Sequence, residues 1–320
     1  MTPPVTPHLQ LVPADGFAHD LHQALRQRPR SISPKYFYDE AGSALFERIC
    51  ELPEYYPTRT ELALLQRHGA EMAELIGPGA QLVEYGAGSL RKVRLLLERL
   101  AAPHSFVPVD ISGTHLLAAS RALQADHPAL QIQPVVADIT RPHDLPARPA
   151  AGRRIGFFPG SSIGNFAPDE ALDFLRMTAQ ELRGGALLIG VDLVKDPALL
   201  HAAYNDAQGV TAAFNLNILA RARRELGAQF DPEGFLHSAF YNAPLQRIEM
   251  HLQSRRRQLL QLGQRSYEFE AGETLHTENS YKFSVAGFQA LAAQAGFAAG
   301  PVWSDERDWF ALLWLQAPSA

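Results

Sequence analysis

The sequence predicts an α/β protein whose core is a doubly wound, mostly parallel sheet. Between Gln81 and Asp192, short apolar runs of strand length alternate with longer stretches of helical spacing. Strands that are apolar along their whole length are typical of parallel sheets covered by helices on both faces. The first run passes directly into a Gly-x-Gly turn at residues 86–88 and then a helix, which is a common beginning of such a sheet.

Five strands are predicted in this core because five short apolar runs are separated by helical stretches or turn residues. The predicted strands are 81–85, 105–110, 132–138, 154–160 and 186–192, and the predicted helices between them are 90–100, 114–125 and 168–182. A helix over 285–295 and a strand over 310–316 follow near the end of the chain. We expect these last two elements to rejoin the sheet.

The flanking segments have a different pattern and predict a second, smaller α+β lobe. Residues 15–59 begin as a helix and continue as a loop-rich segment with many aromatic residues and prolines, and 196–283 are first helical and then alternate as antiparallel strands that meet near Gly263. We therefore expect one domain of residues 60–195 plus 284–320 and a second of 15–59 plus 196–283. Residues 1–14, with four prolines, are expected to be a flexible tail.

Composition excludes several classes of partner. A chain of 320 residues with 46% hydrophobic residues can bury one large core or a core plus a lobe, and a net charge of -5 gives no reason to expect nucleic acid or an anionic membrane. No apolar run approaches the roughly 20 residues that cross a bilayer. The single cysteine, Cys50, and the absence of a signal-peptide pattern fit a cytoplasmic protein, and the lack of an apolar interface stripe fits a monomer. The twelve histidines show no metal-ligand spacing, so no metal is expected.

The residues around the Gly-x-Gly turn indicate its ligand. A dinucleotide-binding turn usually has a third glycine three residues after the second, where this chain has Arg91. A large side chain there argues against a pyrophosphate lying close to the helix. Asp110 and Asp138 end the second and third strands, where carboxylates can accept hydrogen bonds from a nucleoside. The alternative is that both aspartates are only helix caps or turn residues.

Five stretches resemble the histidine Nα-methyltransferases of ergothioneine biosynthesis, the family that makes trimethylhistidine (hercynine). They are PKYFYDEAGSALFERICELPEYYPTRTE (34–61), EYGAGSLRK (84–92), FFPGSSIGNF (157–166), AYNDAQGVTAAFN (203–215), and RIEMHL (247–252) with TENSYKF (277–283). The resemblance extends from about residue 31 to the end of the chain. It implies a Rossmann-like methyltransferase sheet with a substrate-binding lobe formed by two discontinuous segments.

The resemblance implies that S-adenosylmethionine is the cofactor. The residues that would hold it are Gly86, Gly88, Lys92, Asp110, Asp138 and Ile139. At Ile139 some relatives have an aromatic residue, so an aliphatic contact would replace stacking on the adenine. For Lys92 the sequence leaves open whether the lysine pairs with the cofactor carboxylate or lies on a helix surface.

The resemblance also implies three groups of contacts to free L-histidine as the substrate. They are Tyr55, Asn165 and Tyr204 for the α-amino and carboxylate groups, Glu278, Ser280 and Met250 for the imidazole, and Tyr38 and Phe46 for the nitrogen that is methylated. Tyr38, Asn165 and Tyr204 are the candidate catalytic residues. Amide and phenol groups orient an amine without adding a permanent charge, and aromatic faces accommodate a methylated ammonium by cation–π attraction.

The spacing of Glu278 and Ser280 agrees with this assignment. Residues two apart on an extended segment face the same side, and a carboxylate with a hydroxyl can bind both nitrogens of an imidazole. Pairing of Glu278 with Lys282 is the structural alternative. The functional alternatives are a methyltransferase for another aromatic amino acid or an indole amine, a nicotinamide-dependent oxidoreductase, and a non-catalytic scaffold, although the cofactor positions are intact.

Overall fold

The computed structural model describes residues 8–9, 16–150 and 152–319. The described chain divides into two compact units, of which the first contains residues 57–195 and 281–319 with His8–Leu9, and the second contains residues 16–56 and 196–280. The chain crosses between the units four times, once between Leu9 and Gly16 and then after Tyr56, Lys195 and Ser280. The expected domain limits fall at the same residue for the crossing after Lys195 and three residues further along the chain for those after Tyr56 and Ser280.

The described helices and strands are as follows. The α-helices are α1 Gly16–Arg26, α2 Glu40–Glu51, α3 Tyr56–Ile76, α4 Arg91–Leu97, α5 Gly113–Asp126, α6 Pro168–Glu181, α7 Pro197–Tyr204, α8 Val210–Leu226 and α9 Val285–Gln294. The strands are β1 His8–Leu9, β2 Arg30–Ser31, β3 Gln81–Tyr85, β4 Ser105–Asp110, β5 Gln131–Ile132, β6 Val135–Val136, β7 Arg154–Phe158, β8 Ala186–Asp192, β9 Phe235–Asn242, β10 Arg247–Ser254, β11 Gln258–Leu262, β12 Arg265–Phe269, β13 Thr274–Tyr281, β14 Ala298–Ser304 and β15 Phe310–Gln316. Short 3-10 turns lie at Pro34–Phe37, Ser162–Asn165 and Pro232–Gly234.

The first unit is a doubly wound sheet, as predicted. Its strand order is β1-β6-β4-β3-β7-β8-β15-β14, with β5 paired to β4. The strands from β6 to β8 are parallel, and β15 is antiparallel to both β8 and β14. From β3 the chain winds first to β4 and later to β7 on the other side, so the carboxyl ends of these strands border the topological switch point where ligands bind in such sheets.

Helices cover both faces of this sheet, which explains its continuous apolar strands. All five residues of β3 are buried, and Leu82 and Val83 belong to different core clusters. The Leu82 cluster includes side chains of α3, α4 and α5, and the Val83 cluster includes side chains of α6 and α9. Each strand therefore buries alternate residues against helices on opposite faces.

Two predicted elements of the first unit differ clearly from the structure, and strand β14 was not predicted. The strand expected over 132–138 is two short strands, β5 and β6, separated at Pro134, which has no N–H to donate to a ladder. The helix expected over 90–100 is only Arg91–Leu97. The edge strand β14 was not predicted, because Gly300 and Pro301 interrupt its pattern; its register shifts between Ala299 and Val302.

The second unit is an α+β assembly, as predicted. Its four-stranded sheet has the order β2-β13-β10-β9, and β11 and β12 form an antiparallel hairpin that turns at Gly263, where φ is +57°. Helices α1, α2, α7 and α8 complete the unit. The rings of Phe37 and Phe214 stack with their centroids 4.4 Å apart, which anchors α8 on the turn that precedes α2.

The predicted flexible tail, residues 1–14, lies outside the described residues except at His8–Leu9. These two residues pair in parallel with Val135–Val136, so at these positions the expected tail is instead a strand of the sheet. No described helix has the length and apolar character that crossing a membrane requires.

Candidate active site

The Gly-x-Gly turn and Asp110 form one hydrogen-bonded unit at the switch point. Gly86 and Gly88 have φ values of +65° and +47°, in the left-handed region that glycine adopts without strain. The Gly88 N–H donates to Asp110 Oδ2 across 3.1 Å, and the Ser112 N–H donates to Oδ1 across 2.7 Å. Asp110 therefore fixes both the loop after β3 and the turn after β4, which is the turn-residue role that the sequence analysis gave as the alternative for this aspartate.

Asp138 and Ile139 reach the same edge of the sheet. Asp138 Oδ1 accepts hydrogen bonds from the backbone N–H and the hydroxyl group of Thr140, at 3.0 and 2.6 Å. A Cβ atom at Gly86 would lie 3.9 Å from Ile139 Cδ1, so the isoleucine side chain borders the glycine turn. The structure thus brings the predicted cofactor residues of β3, β4 and β6 together.

Lys92 has a partner that sequence reasoning missed. Its Nζ lies 2.6 Å from Oε2 of Glu61, a fully buried residue of α3. The Glu61 carboxylate also accepts from the Gly160 N–H after β7, at 2.9 and 3.0 Å. Lys92 is therefore not simply a surface lysine, since the ion pair holds it between α3 and the loops that follow β3 and β7. The only sequence signal for Glu61 was its place at the end of the LPEYYPTRTE segment.

Glu84 adds a second buried carboxyl group to this region. It is 1% exposed, and its Oε2 has no hydrogen-bond partner among the described residues. Burial raises the pKa of Glu84 well above its usual value, against the opposing effect of Lys92, while Glu61 and Asp110 raise it further. Because burial favours the uncharged form of Glu84, two carboxylates, Glu61 and Asp110, accompany one lysine at the switch point, an environment that suits a cation better than a pyrophosphate anion.

A cavity lies within the second unit. The space open to the centre of a water-sized molecule in this cavity is about 20 Å³. Its walls are mainly aromatic or aliphatic, with a single carboxylate. The lining residues are Phe46, Ile49, Tyr55, Ala203, Tyr204, Thr211, Phe214, Met250 and Glu278.

The polar side of this cavity is formed by β13 and the end of α7. Glu278 and Ser280 lie two apart on β13 and so share a face, as predicted. The Tyr204 hydroxyl donates to Ser280 Oγ across 2.6 Å. The Tyr55 ring packs edge-on against Tyr204 with centroids 6.4 Å apart, and burial raises the pKa of Tyr55 well above its usual value, so this phenol is neutral at physiological pH.

Aromatic rings border the polar groups. The Tyr38 ring lies 5.7 Å from the rings of Phe46 and Phe214, and the Phe46 ring lies 6.4 Å from that of Tyr55. Phe214 belongs to the predicted segment 203–215 but was not singled out there. The structure therefore gathers the second-unit residues of the predicted substrate site around one cavity.

Two other residues named in the sequence analysis, the predicted site residue Asn165 and Lys282, belong to the first unit. Asn165 ends the 3-10 turn Ser162–Asn165 that follows β7. Lys282, the alternative partner of Glu278, is buried with its Nζ 2.8 Å from Asp192 Oδ2. Lys282 therefore forms an ion pair with Asp192, a carboxylate that the sequence analysis did not consider as its partner.

A family model described as histidine-specific methyltransferase, SAM-dependent, matches residues 17–317. The chain belongs to this family. It is 41% identical to a histidine N-alpha-methyltransferase of Mycolicibacterium smegmatis over 93% of this chain and 94% of the relative, and 42% identical to one of Mycobacterium tuberculosis over 92% of each. It is also 34% identical to ergothioneine biosynthesis protein 1 of Neurospora crassa, over 67% of this chain and 26% of that longer protein. These findings confirm the family that the sequence motifs indicated, and with it a methyltransferase dependent on S-adenosylmethionine.

The second unit also contains a cluster that the spacing of histidines did not predict. One potential ligand atom from each of Glu249, His251 and His276 lies within 4.8 Å of the others, and no other such group occurs in the described part of the chain. Glu249 is already engaged, because Arg247 and Asn242 donate to its Oε1 at 2.6 to 2.8 Å. The Glu249 carboxylate is therefore already paired with a cation, the guanidinium group of Arg247.

Proposed function

We propose that this chain transfers methyl groups from S-adenosylmethionine to the α-amino nitrogen of free L-histidine, three times in succession, to give hercynine in ergothioneine biosynthesis. The observation that carries the proposal is that a carboxylate, Glu278, and a hydroxyl group, Ser280, lie on one face of β13, beside a cavity lined by Met250. Family membership and the names of the mycobacterial relatives support the same substrate.

The cofactor would be held at the switch point of the first unit by the predicted set. Asp110, already oriented by the Gly88 N–H, would accept from the ribose hydroxyl groups, and Asp138 and Ile139 would contact the adenine. Lys92 has three N–H donors, so it can pair with Glu61 and still bind the carboxylate of the methionine portion. When bound, the cofactor supplies an electrophilic methyl group on a sulfonium ion, and the surrounding carboxyl groups favour that positive charge.

Recognition of the imidazole follows from the directions of the hydrogen bonds. Ser280 Oγ accepts from Tyr204, so the serine proton is directed to another acceptor, which we propose is one imidazole nitrogen. Glu278 would accept the N–H of the other nitrogen. An indole has one N–H and no acceptor nitrogen, so it would leave the serine unmatched, which costs on the order of 1–3 kcal/mol.

The amine would be positioned by neutral groups. Tyr55 and Tyr204 supply phenols and Asn165 an amide, so that no fixed charge opposes the quaternary ammonium product. Tyr38 and Phe46 would face the methylated nitrogen, where each cation–π contact contributes about 0.5–2 kcal/mol. Methyl transfer then depends mainly on alignment of the amine lone pair, a contribution that positioning supplies efficiently. We further propose that the protein acts as a cytoplasmic monomer with no metal and no nucleic-acid or membrane partner.

Mass spectrometry of the twenty amino acids incubated separately with enzyme and cofactor tests this function. We expect histidine alone to gain one, two and then three methyl groups. A matched reaction with tryptophan and tryptamine addresses the indole alternative. Methylation of tryptophan, or of no amino acid at all, would contradict the proposal, and NADH binding in place of S-adenosylhomocysteine would point to an oxidoreductase.

A further inference from the structure

Three polar side chains, the buried Asn215 and Thr277 and the half-buried His237, lie behind the cavity of the second unit and connect its walls. His237 Nε2 lies 2.9 Å from the carbonyl oxygen of Tyr204, and His237 Nδ1 lies 2.9 Å from Asn215 Nδ2. Asn215 Oδ1 accepts from the hydroxyl group of Thr277 across 2.7 Å. The Thr277 hydroxyl is also 3.0 Å from the carbonyl oxygen of Met250. These contacts form a continuous chain from α7 through β9 and α8 to β13 and β10.

The donors and acceptors in this chain fix the proton of the His237 ring and the orientation of the Asn215 amide, whereas the single Thr277 hydroxyl proton is shared between two acceptors, Asn215 Oδ1 and the Met250 carbonyl oxygen. A carbonyl group only accepts, so the proton of the His237 ring is on Nε2, and Nδ1 accepts from the Asn215 amide. The same amide nitrogen donates to the carbonyl oxygen of His251 across 3.0 Å, which leaves Asn215 Oδ1 as the acceptor for Thr277. Burial lowers the pKa of His237, which favours this neutral form, although the Tyr204 carbonyl opposes the shift.

Because Asn215 and Thr277 are buried, their polar atoms need hydrogen-bond partners within the protein. Asn215 and Thr277 are both 0% exposed, so a lost partner is not replaced by bulk water. A fully satisfied buried network is rigid, whereas a partly satisfied one is not stable in a single conformation. The positions of the backbone groups at its ends are therefore closely fixed.

The network ends on residues that line the cavity. Tyr204 and Met250 are held through their backbone carbonyl groups, and Thr277 directly precedes Glu278 on β13, pointing to the opposite face. None of the three network residues lines the cavity. We infer that Asn215, His237 and Thr277 are positioning residues that set the spacing between the imidazole-binding groups and Met250, and so determine the preference for histidine. This inference rests on the proposed function.

The test removes one hydroxyl group from the network and compares it with a buried hydroxyl elsewhere in the unit. Thr277→Val preserves the side-chain shape. Ser254→Ala is the matched control, because Ser254 is 1% exposed on β10 and its hydroxyl group bonds the Arg256 carbonyl oxygen and the Gln258 side chain. We expect Thr277→Val to raise the KM for histidine about tenfold, as a buried hydrogen bond would, with kcat within about twofold. Thr277→Ser should restore the wild-type KM.

S-adenosylhomocysteine affinity and the melting temperature complete the experiment. We expect affinity for S-adenosylhomocysteine to be unchanged in all three variants, and Ser254→Ala to keep the wild-type KM at a similar loss of melting temperature. A KM for Thr277→Val no higher than that of Ser254→Ala would overturn the inference. If Thr277→Val does not fold, His237→Gln replaces it in the experiment. The glutamine amide can still donate to the Tyr204 carbonyl oxygen but leaves the Asn215 amide without its acceptor. An unchanged KM for histidine in His237→Gln would equally overturn the inference. A wild-type enzyme that does not methylate histidine would instead refute the proposed function.

Discussion

The Tyr204 hydroxyl donates to Ser280 Oγ across 2.6 Å, joining the last residue of α7 to β13. Both side chains are buried in the second unit. A hydroxyl group that accepts a bond from tyrosine is oriented as a donor, so the two residues should act together in substrate binding rather than as separate contacts.

Tyr204→Phe and Ser280→Ala should therefore be non-additive. Each single substitution is expected to raise the KM for histidine about tenfold. The KM of the double variant is expected to stay within about twofold of the higher of the two single-variant values. Steady-state kinetics of the wild type, the two single variants and the double variant at saturating cofactor measures this double-mutant cycle. Full additivity of the two effects would show that the side chains contribute independently.

Glu278→Ala should separate substrate binding from cofactor binding. The substitution leaves an imidazole N–H without its acceptor in a buried site, and we expect histidine kcat/KM to fall about 100-fold or more. Because the proposed cofactor residues lie in the first unit, titration calorimetry should give a wild-type Kd for S-adenosylhomocysteine. An equal loss of both affinities would contradict the role given to Glu278.

Much of the sheet followed from local sequence, because its strands are continuous apolar runs bounded by turn residues. β3, β4, β8 and β15 have the predicted limits residue for residue. β14 was missed because its place at the sheet edge is set by pairing with β15, a non-local interaction that no run of residues reveals.

In the candidate site, too, some features follow from local sequence and others depend on tertiary packing. The common face of Glu278 and Ser280 follows from the two-residue period of a strand, and the glycine turn follows from its position after β3. The ion pair of Lys92 with Glu61 and the bond of Asn215 to Thr277 join residues far apart in the chain. Such pairs depend on how helices and strands pack, so spacing alone could not predict them.

Asp110→Asn should weaken cofactor binding in particular. The carboxylate accepts two backbone N–H groups, and an amide in its place would turn an N–H donor toward one of them. We expect the Kd for S-adenosylhomocysteine to rise between about tenfold and 100-fold, as for a lost hydrogen bond to a charged group. Asp173→Asn on the exposed face of α6 is the control and should leave the Kd unchanged. A wild-type Kd in Asp110→Asn would show that the Gly-x-Gly loop does not depend on this carboxylate.

Removal of metal ions should not affect the enzyme, despite the cluster of Glu249, His251 and His276. Burial opposes ionisation of Glu249, but hydrogen bonds from Arg247, Asn242 and His251 lower its pKa to about 2. The ionised carboxylate already has these three side chains as partners, so a metal ion would have to displace them. We expect unchanged kcat and melting temperature after dialysis against EDTA and after addition of Zn²⁺. A stoichiometric metal content by elemental analysis, or a loss of activity with EDTA, would contradict this expectation.

Acid should destabilise the fold through buried histidines, and His276 is the clearest case. Burial and the nearby His251 lower the pKa of His276 from 6.5 to about 4, against the opposing effect of Glu249. The unfolded chain therefore binds a proton more readily than the folded one, so the stabilisation is complete above about pH 6.5 and is lost as the pH falls toward 4. A shift of this size corresponds to roughly 3 kcal/mol at the acid end of the window.

His276→Gln should remove this part of the pH dependence. The glutamine amide can still donate to the carbonyl oxygen of Glu278, as His276 Nε2 does across 3.0 Å, but it does not titrate. We expect the free energy of unfolding from urea titrations to fall less steeply in the variant than in the wild type between about pH 6.5 and 4. The remaining slope would include contributions from His22, His237 and His251, whose pKa values burial also lowers. Identical slopes in the two proteins would mean that His276 titrates normally in the folded state.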